Sequence, residues 1–235
     1  HTPFAGLANI QHSITTDLSQ LSEITVSEDR TTTTIDTGNL WGAVNHKLDP
    51  LGVSTPGGRI SSVGVSNLVS GGGMSFYSPC VGLVCDAVLN FEAILSSGSI
   101  VNANVTHNFD LFRALKGASN NLGIMTRIDL PLIPSGTIWG GFLAISTTYS
   151  PQIFLFFTNF TNSSNYDPYA AVIDTKIFSN GSWYTLLHMA YTKPNVINPP
   201  TFAPLIVFME ALFQLANTIA LSITSVPNLM FDLSF

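Results

Sequence analysis

The chain has 235 residues, which is long enough for one large domain or two small ones with a buried core. Only 9% of the residues are charged, the formal net charge is -6 and the isoelectric point is about 5.1, so no basic face is available to neutralise a nucleic-acid backbone. This charge balance excludes DNA and RNA as expected partners.

The first half of the chain predicts hairpins and short helices in alternation. Two β-branched runs flank residues 28–30, which is the pattern of a hairpin. Leu40, Val44 and Leu48 then follow near helical spacing, with Gly52 as a stop signal, so residues 40–52 predict a helix. Three further elements are expected: a hairpin with its turn at residues 96–98, a helix at residues 108–117 with Asn108 as N-cap, and a strand that ends at Pro134.

The composition of the sequence changes after Pro134. From Trp139 onward, long apolar segments are separated by loops rich in Asn, Ser and Pro, and we place a domain boundary within residues 134–136. Residues 168–178 and 182–194 have the apolar character of strands. The mixture of hairpins and isolated short helices favours an α+β fold over a repeating βαβ sheet.

The mean hydropathy of +0.35 is high, and residues 205–223 form the most apolar segment of the chain. This segment carries Glu210, Gln214 and Asn217 at intervals that suit one polar face, and no Lys or Arg flanks it closely. We therefore expect it to face a core, with no membrane span.

Four Asn-x-Ser/Thr acceptors predict N-glycans and passage through a secretory pathway. They begin at Asn104, Asn159, Asn162 and Asn180. The chain has neither a starting Met nor a signal peptide, so we expect a piece of a longer secreted protein.

Cys80 and Cys85 are the only cysteines. Two cysteines supply neither a disulfide scaffold nor a four-ligand zinc site, and we expect two buried apolar thiols. The histidines show no metal-ligand spacing, so no metal site is predicted.

The glycine-rich segment 59–79, RISSVGVSNLVSGGGMSFYSP, is the strongest candidate for a ligand site. It is not followed by the helix that a Rossmann fingerprint needs, it has no Gly-Lys-Ser/Thr, and it has no G-x-S-x-G elbow. Two interpretations remain: tight strand packing with bulges, or backbone N–H groups that bind a pyrophosphate or the polar edge of a planar ring. A run of three glycines favours the ligand interpretation.

Together with two later blocks, this segment resembles a known family. The blocks GGRISSVGVSNLVSGGGMSFYSP, CDAVLNFEAILSSGSIVNAN and LFRALKGASNNLGIMTRIDL are similar to the FAD-binding domain of the berberine-bridge-enzyme-like oxidases, within the vanillyl-alcohol-oxidase and p-cresol-methylhydroxylase superfamily. The match is closest to fungal secreted members and is incomplete at both ends. It implies an FAD-binding domain over residues 1–135, without its N-terminal subdomain, and the start of an antiparallel-sheet substrate domain over residues 136–235.

The resemblance also implies how the flavin is attached. His1 aligns with the histidine that family members bond to the flavin, so it is the candidate for a covalent link. Many relatives form a second link through a cysteine at the position of Ile60, so a single link is implied here. Val63 aligns with the residue that controls the access of oxygen, and its small size is typical of an oxidase, although a lone Val is more often a core residue.

Further positions match the family's FAD contacts, most of them through the main chain. They are Gly64, Asn67, Leu68, Gly71, Gly72, Ser75, Asp86, Val88, Gly123 and Ile124. The chain departs from the family at Leu83, which is commonly aromatic, and at Ala87, Ala118 and Leu122.

The implied activity is that of an FAD-dependent oxidase, which takes a hydride from a small organic substrate and passes electrons to oxygen to give hydrogen peroxide. The family's catalytic base aligns outside these residues, so no base is named. The alternative is a shortened, non-catalytic secreted glycoprotein that retains the flavoprotein scaffold. Asp17, Glu23, Glu92 and Asp110 are interpreted as solvated carboxylates.

Overall fold

The computed structural model describes residues 11–119, 121–207 and 220–224, the last of these as backbone only. The chain divides into two compact units. The described residues of the first unit are 11–119 and 121–135, and those of the second are 136–207 and 220–224.

The first unit is built on an antiparallel sheet. The described strands of the unit are β1 (Ile24–Val26), β2 (Thr32–Asp36), β3 (Val53–Ser54), β4 (Asn90–Ile94), β5 (Ile100–Asn104), β6 (Ile124–Pro131) and β7 (Ile133–Pro134). Five of them form one sheet in the order β1-β2-β6-β4-β5, and β3 pairs with β7. Both predicted hairpins are present, as β1–β2 and β4–β5.

Five short helices lie in the described part of this unit. They are α1 (Trp41–Leu48), α2 (Val65–Ser70), α3 (Ser78–Val81), α4 (Val84–Ala87) and α5 (Phe109–Leu115). Helix α1 continues as a 3-10 turn and stops at Gly52, whose φ of 69° is the left-handed geometry that glycine adopts readily. The predicted helix and its stop are therefore confirmed.

The alternation of buried and partly exposed residues along the strands shows which face of the sheet packs on the core. In β2, Thr33 and Ile35 are buried while their neighbours are partly exposed, which is the two-residue period of a strand. Ile35 pairs with Ile128 of β6 under α1, which contributes Trp41 and Val44. This core supports the loop that follows β3.

The structure adds to one local prediction in the first unit and corrects another. Asn108 is the N-cap residue of α5 as predicted, but its side chain donates to the carbonyl of Asn102 at 2.8 Å and does not bond to the helix N–H groups. Glu92 is not a solvated carboxylate, because it forms an ion pair with Arg127 at 2.7 Å and accepts a hydrogen bond from Thr126. Both side chains find a partner on a neighbouring strand or loop, which spacing along the chain does not reveal.

The described part of the second unit contains a four-stranded antiparallel sheet and an 11-residue helix. Its elements are β8 (Ile138–Ser146), α6 (Ser150–Phe160), β9 (Ala170–Ser179), β10 (Ser182–Tyr191) and β11 (Ala220–Thr224), with the strand order β11-β8-β10-β9. Strands β9 and β10 confirm the two predicted strands. Helix α6 was not predicted, although Pro151 in its first turn and the helical spacing of Ile153, Phe156 and Phe160 are helix signals.

The amphipathic interpretation of residues 205–223 falls largely on residues 208–219, which lie outside the described part of the chain. Within the described part, no helix has the length and apolar character needed to cross a membrane.

Candidate cofactor site

The loop of residues 57–64, which leads into α2, is fixed on α1 by close contact with an aromatic ring. Gly57 and Gly58 approach the ring of buried Trp41 so closely that a Cβ at either position would overlap it. The N–H groups of Trp41 and Gly42 donate to the carbonyls of Val63 and Ser61, both at 3.0 Å. These contacts therefore hold the loop in a fixed position against the first turn of α1.

Gly64 presents open backbone at the end of this loop. Its neighbours Val63 and Val65 are buried, and Val65 donates its N–H to Asn39 at 3.0 Å. No heavy atom lies within 4 Å of the position that a Cβ of Gly64 would take. A ligand can therefore approach the main chain here without displacing a side chain.

The glycine run reverses the chain after α2. Gly72 and Gly73 have φ values of 96° and 77°, a conformation that side-chain-bearing residues rarely adopt. Their carbonyls accept the N–H groups of Cys85 at 2.8 Å and Val84 at 3.0 Å. The run thus fixes the start of α4 beside α2.

The block after α5 joins the same cluster. Ser119 donates its N–H to the carbonyl of Ser70 at 2.9 Å, at the end of α2. Lys116 Nζ donates to the carbonyl of Asp86 at 3.0 Å and lies 4.3 Å from the centre of the Phe112 ring. The structure therefore brings together segments from all three blocks that carry the family resemblance.

Several of the residues predicted to contact FAD have evident structural roles. Buried Ser75 accepts the N–H of Tyr77 at 3.0 Å and closes the turn into α3. Val88 belongs to the main core. Val63 is also a core residue, with 6% of its surface exposed, and its role beside oxygen stays a prediction.

The remaining predicted contacts are more open. Asn67, Gly71 and Asp86 are exposed, and Leu68 is partly buried against the core. Gly123 has a φ of 138°, and a Cβ there would lie 2.6 Å from the carbonyl oxygen of Ile94.

Ile124 pairs with Ile94 of β4 and is 39% exposed. His1, the candidate for covalent attachment, lies outside the described residues.

One cation in the loop was not singled out from the sequence. Arg59 lies between Gly58 and Ile60, is half-buried, and has a pKa lowered by the loss of solvent around its guanidinium. The signal was available, since Arg59 is the only basic residue in the glycine-rich segment.

The two cysteines differ, contrary to the expectation that both are buried. Cys80 is exposed at the end of α3, while Cys85 is buried in α4, and neither forms a disulfide. The pKa of the Cys85 thiol is raised, first by burial and then by the charge of Asp86, with Lys116 opposing the shift.

We expect a maleimide to modify Cys80 and to spare Cys85 in the folded protein, because burial excludes the reagent and the raised pKa keeps the Cys85 thiol protonated. Peptide mass spectrometry after brief labelling measures this. Cys80→Ser should abolish the labelling and Cys85→Ser should leave it unchanged; rapid labelling of Cys85 would contradict the burial.

The residues of the cluster fit a flavin dinucleotide. Open main chain at Gly64 provides approach for a ligand that is held by N–H groups, and Arg59 provides a positive charge. No group of three or more His, Cys, Asp or Glu that could hold a metal ion occurs among the described residues.

Comparisons with protein families and curated proteins also indicate FAD binding. Residues 1–104 match the family model of an FAD binding domain. The chain is 36% identical over 207 residues to the FAD-dependent monooxygenase CTB5 of Cercospora nicotianae, covering 87% of this chain and 45% of that protein. The chain therefore spans about half the length of this curated relative.

Solved structures share the fold. The 6-hydroxy-D-nicotine oxidase of Arthrobacter nicotinovorans superposes with a TM-score of 0.75 at 18% identity, over 95% of this chain and 49% of that one. The xylooligosaccharide oxidase of Myceliophthora thermophila gives a TM-score of 0.72 at 19% identity, over 90% of this chain and 44% of that one. The α+β fold class predicted from the sequence is confirmed.

Proposed function

We propose that the chain is part of a berberine-bridge-enzyme-like FAD-binding oxidoreductase, and that the whole protein oxidises a small organic molecule and reduces oxygen to hydrogen peroxide. FAD is the cofactor. The observation that carries the proposal is the cluster around Gly64 and Gly72, where three segments meet beside open main chain. The oxidase activity, the oxygen dependence and the substrate class are the proposed parts.

Bound FAD supplies an acceptor for a hydride and a donor of electrons to oxygen. The residues of this chain bind and orient it. Gly64 leaves the main chain accessible, and the left-handed turn at Gly72 fixes α4 beside α2. Trp41 holds Gly57 and Gly58, so that little reorganisation is needed on binding. We assign the control of oxygen access to Val63, whose small side chain leaves room beside the flavin.

The test of this activity is aerobic turnover by the protein expressed from its complete coding region. Substrates should span secondary alcohols, hydroxylated aromatic rings and oligosaccharides. An alcohol R₂CHOH and O₂ should give R₂C=O and H₂O₂, with a single peroxide for each product molecule.

A monooxygenase, the activity named for CTB5, is the competing outcome. Labelling with ¹⁸O₂ distinguishes the two reactions, because an oxidase leaves the label in peroxide. Label in the organic product, or peroxide far below product, would overturn the proposed oxidase reaction and leave FAD binding intact.

We also propose that His1 forms a single covalent bond to the flavin, since Ile60 stands where relatives have a second attachment. Acid-denatured protein should stay yellow, and His1→Ala should release the colour on denaturation. A yellow peptide that lacks His1 would place the bond elsewhere.

We propose that the protein is secreted and carries N-glycans, and the local geometry ranks the four acceptors. Asn180 forms the tip of the β9–β10 hairpin and Asn162 begins an exposed 3-10 turn, whereas the Asn104 amide donates to Asn90 across the sheet at 3.0 Å. Asn159 lies in the last turn of α6.

We expect glycans at Asn162 and Asn180 in preference to Asn104 and Asn159, because acceptors in exposed turns are accessible to the transferase. Enzymatic deglycosylation in ¹⁸O water followed by peptide mass spectrometry marks each occupied Asn. Absence of the mark at all four acceptors in protein from the native source would contradict secretion.

A further inference from the structure

Arg59 is a half-buried cation without a counter-charge. Among the described residues, the ion pairs are those of Arg127 with Glu92 and of Lys176 with Asp174, and no oxygen accepts a hydrogen bond from the Arg59 guanidinium. Loss of solvent is the sole cause of its lowered pKa. No neighbouring carboxylate compensates for that loss.

The other cations on the sheet and α5 of this unit have partners. Arg30 donates to the carbonyl of Leu51 at 3.3 Å, Lys116 donates to that of Asp86, and Arg127 forms its ion pair. Arg113 lies 5.9 Å from the centre of the Phe109 ring. Lys47 is exposed to solvent on α1. Among the described cations of this unit, Arg59 alone combines partial burial with the absence of a partner.

The position of Arg59 connects it to the open main chain. Residues 60–63 form a turn that is closed by a hydrogen bond from Val63 N–H to the Ile60 carbonyl at 3.3 Å. Arg59 and Gly64 directly flank this turn. Because the chain reverses between them, the cation belongs to the same loop as the accessible backbone.

Partial burial of an unpaired guanidinium lowers stability, since solvation is lost and nothing replaces it. An arginine stays charged at any ordinary pH. In a chain with a net charge of -6, such a cation on a ligand loop has an anionic ligand as its natural partner. FAD carries a pyrophosphate, and its ring becomes anionic on reduction.

We infer that Arg59 binds an anionic group of FAD at the turn formed by residues 60–63. This inference rests on FAD binding by the glycine-rich segment. The shared chemistry is a guanidinium against an anion. The pyrophosphate is charged in both redox states, whereas the ring is charged only when reduced. A contact with the pyrophosphate and a contact with the ring therefore predict different changes in ADP affinity and in the flavin midpoint potential.

The test compares Arg59→Gln, Arg59→Lys and the matched control Lys47→Gln, all in a His1→Ala background that keeps FAD binding reversible. Arg59→Gln should raise the Kd for reduced FAD, in which both the pyrophosphate and the ring are charged, by about tenfold or more, equal to about 1.4 kcal/mol. Arg59→Lys keeps the charge and should stay within about threefold of the parent protein. Lys47→Gln should change nothing.

Stability of the apo-protein separates a ligand-binding role from a structural one. The Tm of the apo-form of Arg59→Gln should not fall, because an unpaired buried cation has been removed. A pronounced fall in Tm, with Arg59→Lys impaired equally, would show a structural role and overturn the inference.

ADP and the flavin midpoint potential identify the anion. If Arg59 contacts the pyrophosphate, Arg59→Gln weakens ADP and FAD by similar factors and leaves the potential unchanged. If Arg59 contacts the ring, ADP binding is unaffected and the potential becomes more negative. Unchanged FAD affinity, ADP affinity and potential would overturn the inference alone, whereas a parent chain that does not bind FAD would overturn the proposed function as well.

Discussion

Replacing Trp41 with alanine should destabilise the first unit by about 3–5 kcal/mol, the cost of truncating a buried tryptophan. The ring is fully buried, belongs to the main core and is in close contact with Gly57 and Gly58. Its removal leaves a cavity under the loop of residues 57–64. Chemical denaturation followed by circular dichroism measures the loss.

Hydrogen exchange localises the effect of Trp41→Ala. Protection should fall in β2 and β6 and persist in β9 and β10, which belong to the other unit. The control is Trp41→Phe, which keeps most of the ring. It also removes an indole N–H that has no hydrogen-bond partner among the described residues, so its cost should be much smaller. Equal effects of the two substitutions, or unchanged stability in Trp41→Ala, would contradict this role of the ring.

Gly72→Ala should lower the affinity for FAD by about tenfold or more, by strain in the backbone and not by steric overlap. The φ of Gly72 is 96°, whereas the nearest atom to an added Cβ is Leu83 Cδ1 at 3.5 Å, which is ordinary contact. Relaxation toward a negative φ would break the bond from Cys85 N–H and shift α4 away from α2. Titration of the apo-protein with FAD measures the change.

The matched control for Gly72→Ala is Gly98→Ala in the β4–β5 turn. Gly98 has a φ of 81° and no heavy atom within 4 Å of its Cβ position, so the substitution introduces similar strain without crowding. Stability should fall by roughly 1 kcal/mol, and FAD affinity should stay the same. If both substitutions weaken FAD equally, the effect of Gly72→Ala reflects general destabilisation.

Local signals were sufficient for most of the first unit. The β-branched runs around residues 28–30 and the stop at Gly52 gave the first hairpin and α1, because adjacent residues determine these elements. Helix α6 was missed because its apolar residues also suit a strand, and burial of Ile153 against the sheet decides between the two.

The sequence predicted which segment forms the candidate site, but it did not predict the three-dimensional arrangement of that segment. The resemblance identified the glycine run, but the bonds that connect Gly72 to Cys85 and Ser70 to Ser119 depend on how α2, α4 and the later loop pack. The burial of Arg59 without a partner is likewise a property of the folded loop. The sequence alone shows only that Arg59 is present.

The most direct test of an FAD site on the glycine-rich segment is hydrogen exchange on the 235-residue chain, with and without FAD. We expect a single FAD per chain and slowed exchange in residues 59–73 and 84–88, with β9 and β10 unaffected. Failure of the folded chain to bind FAD, or protection confined to other segments, would contradict the account.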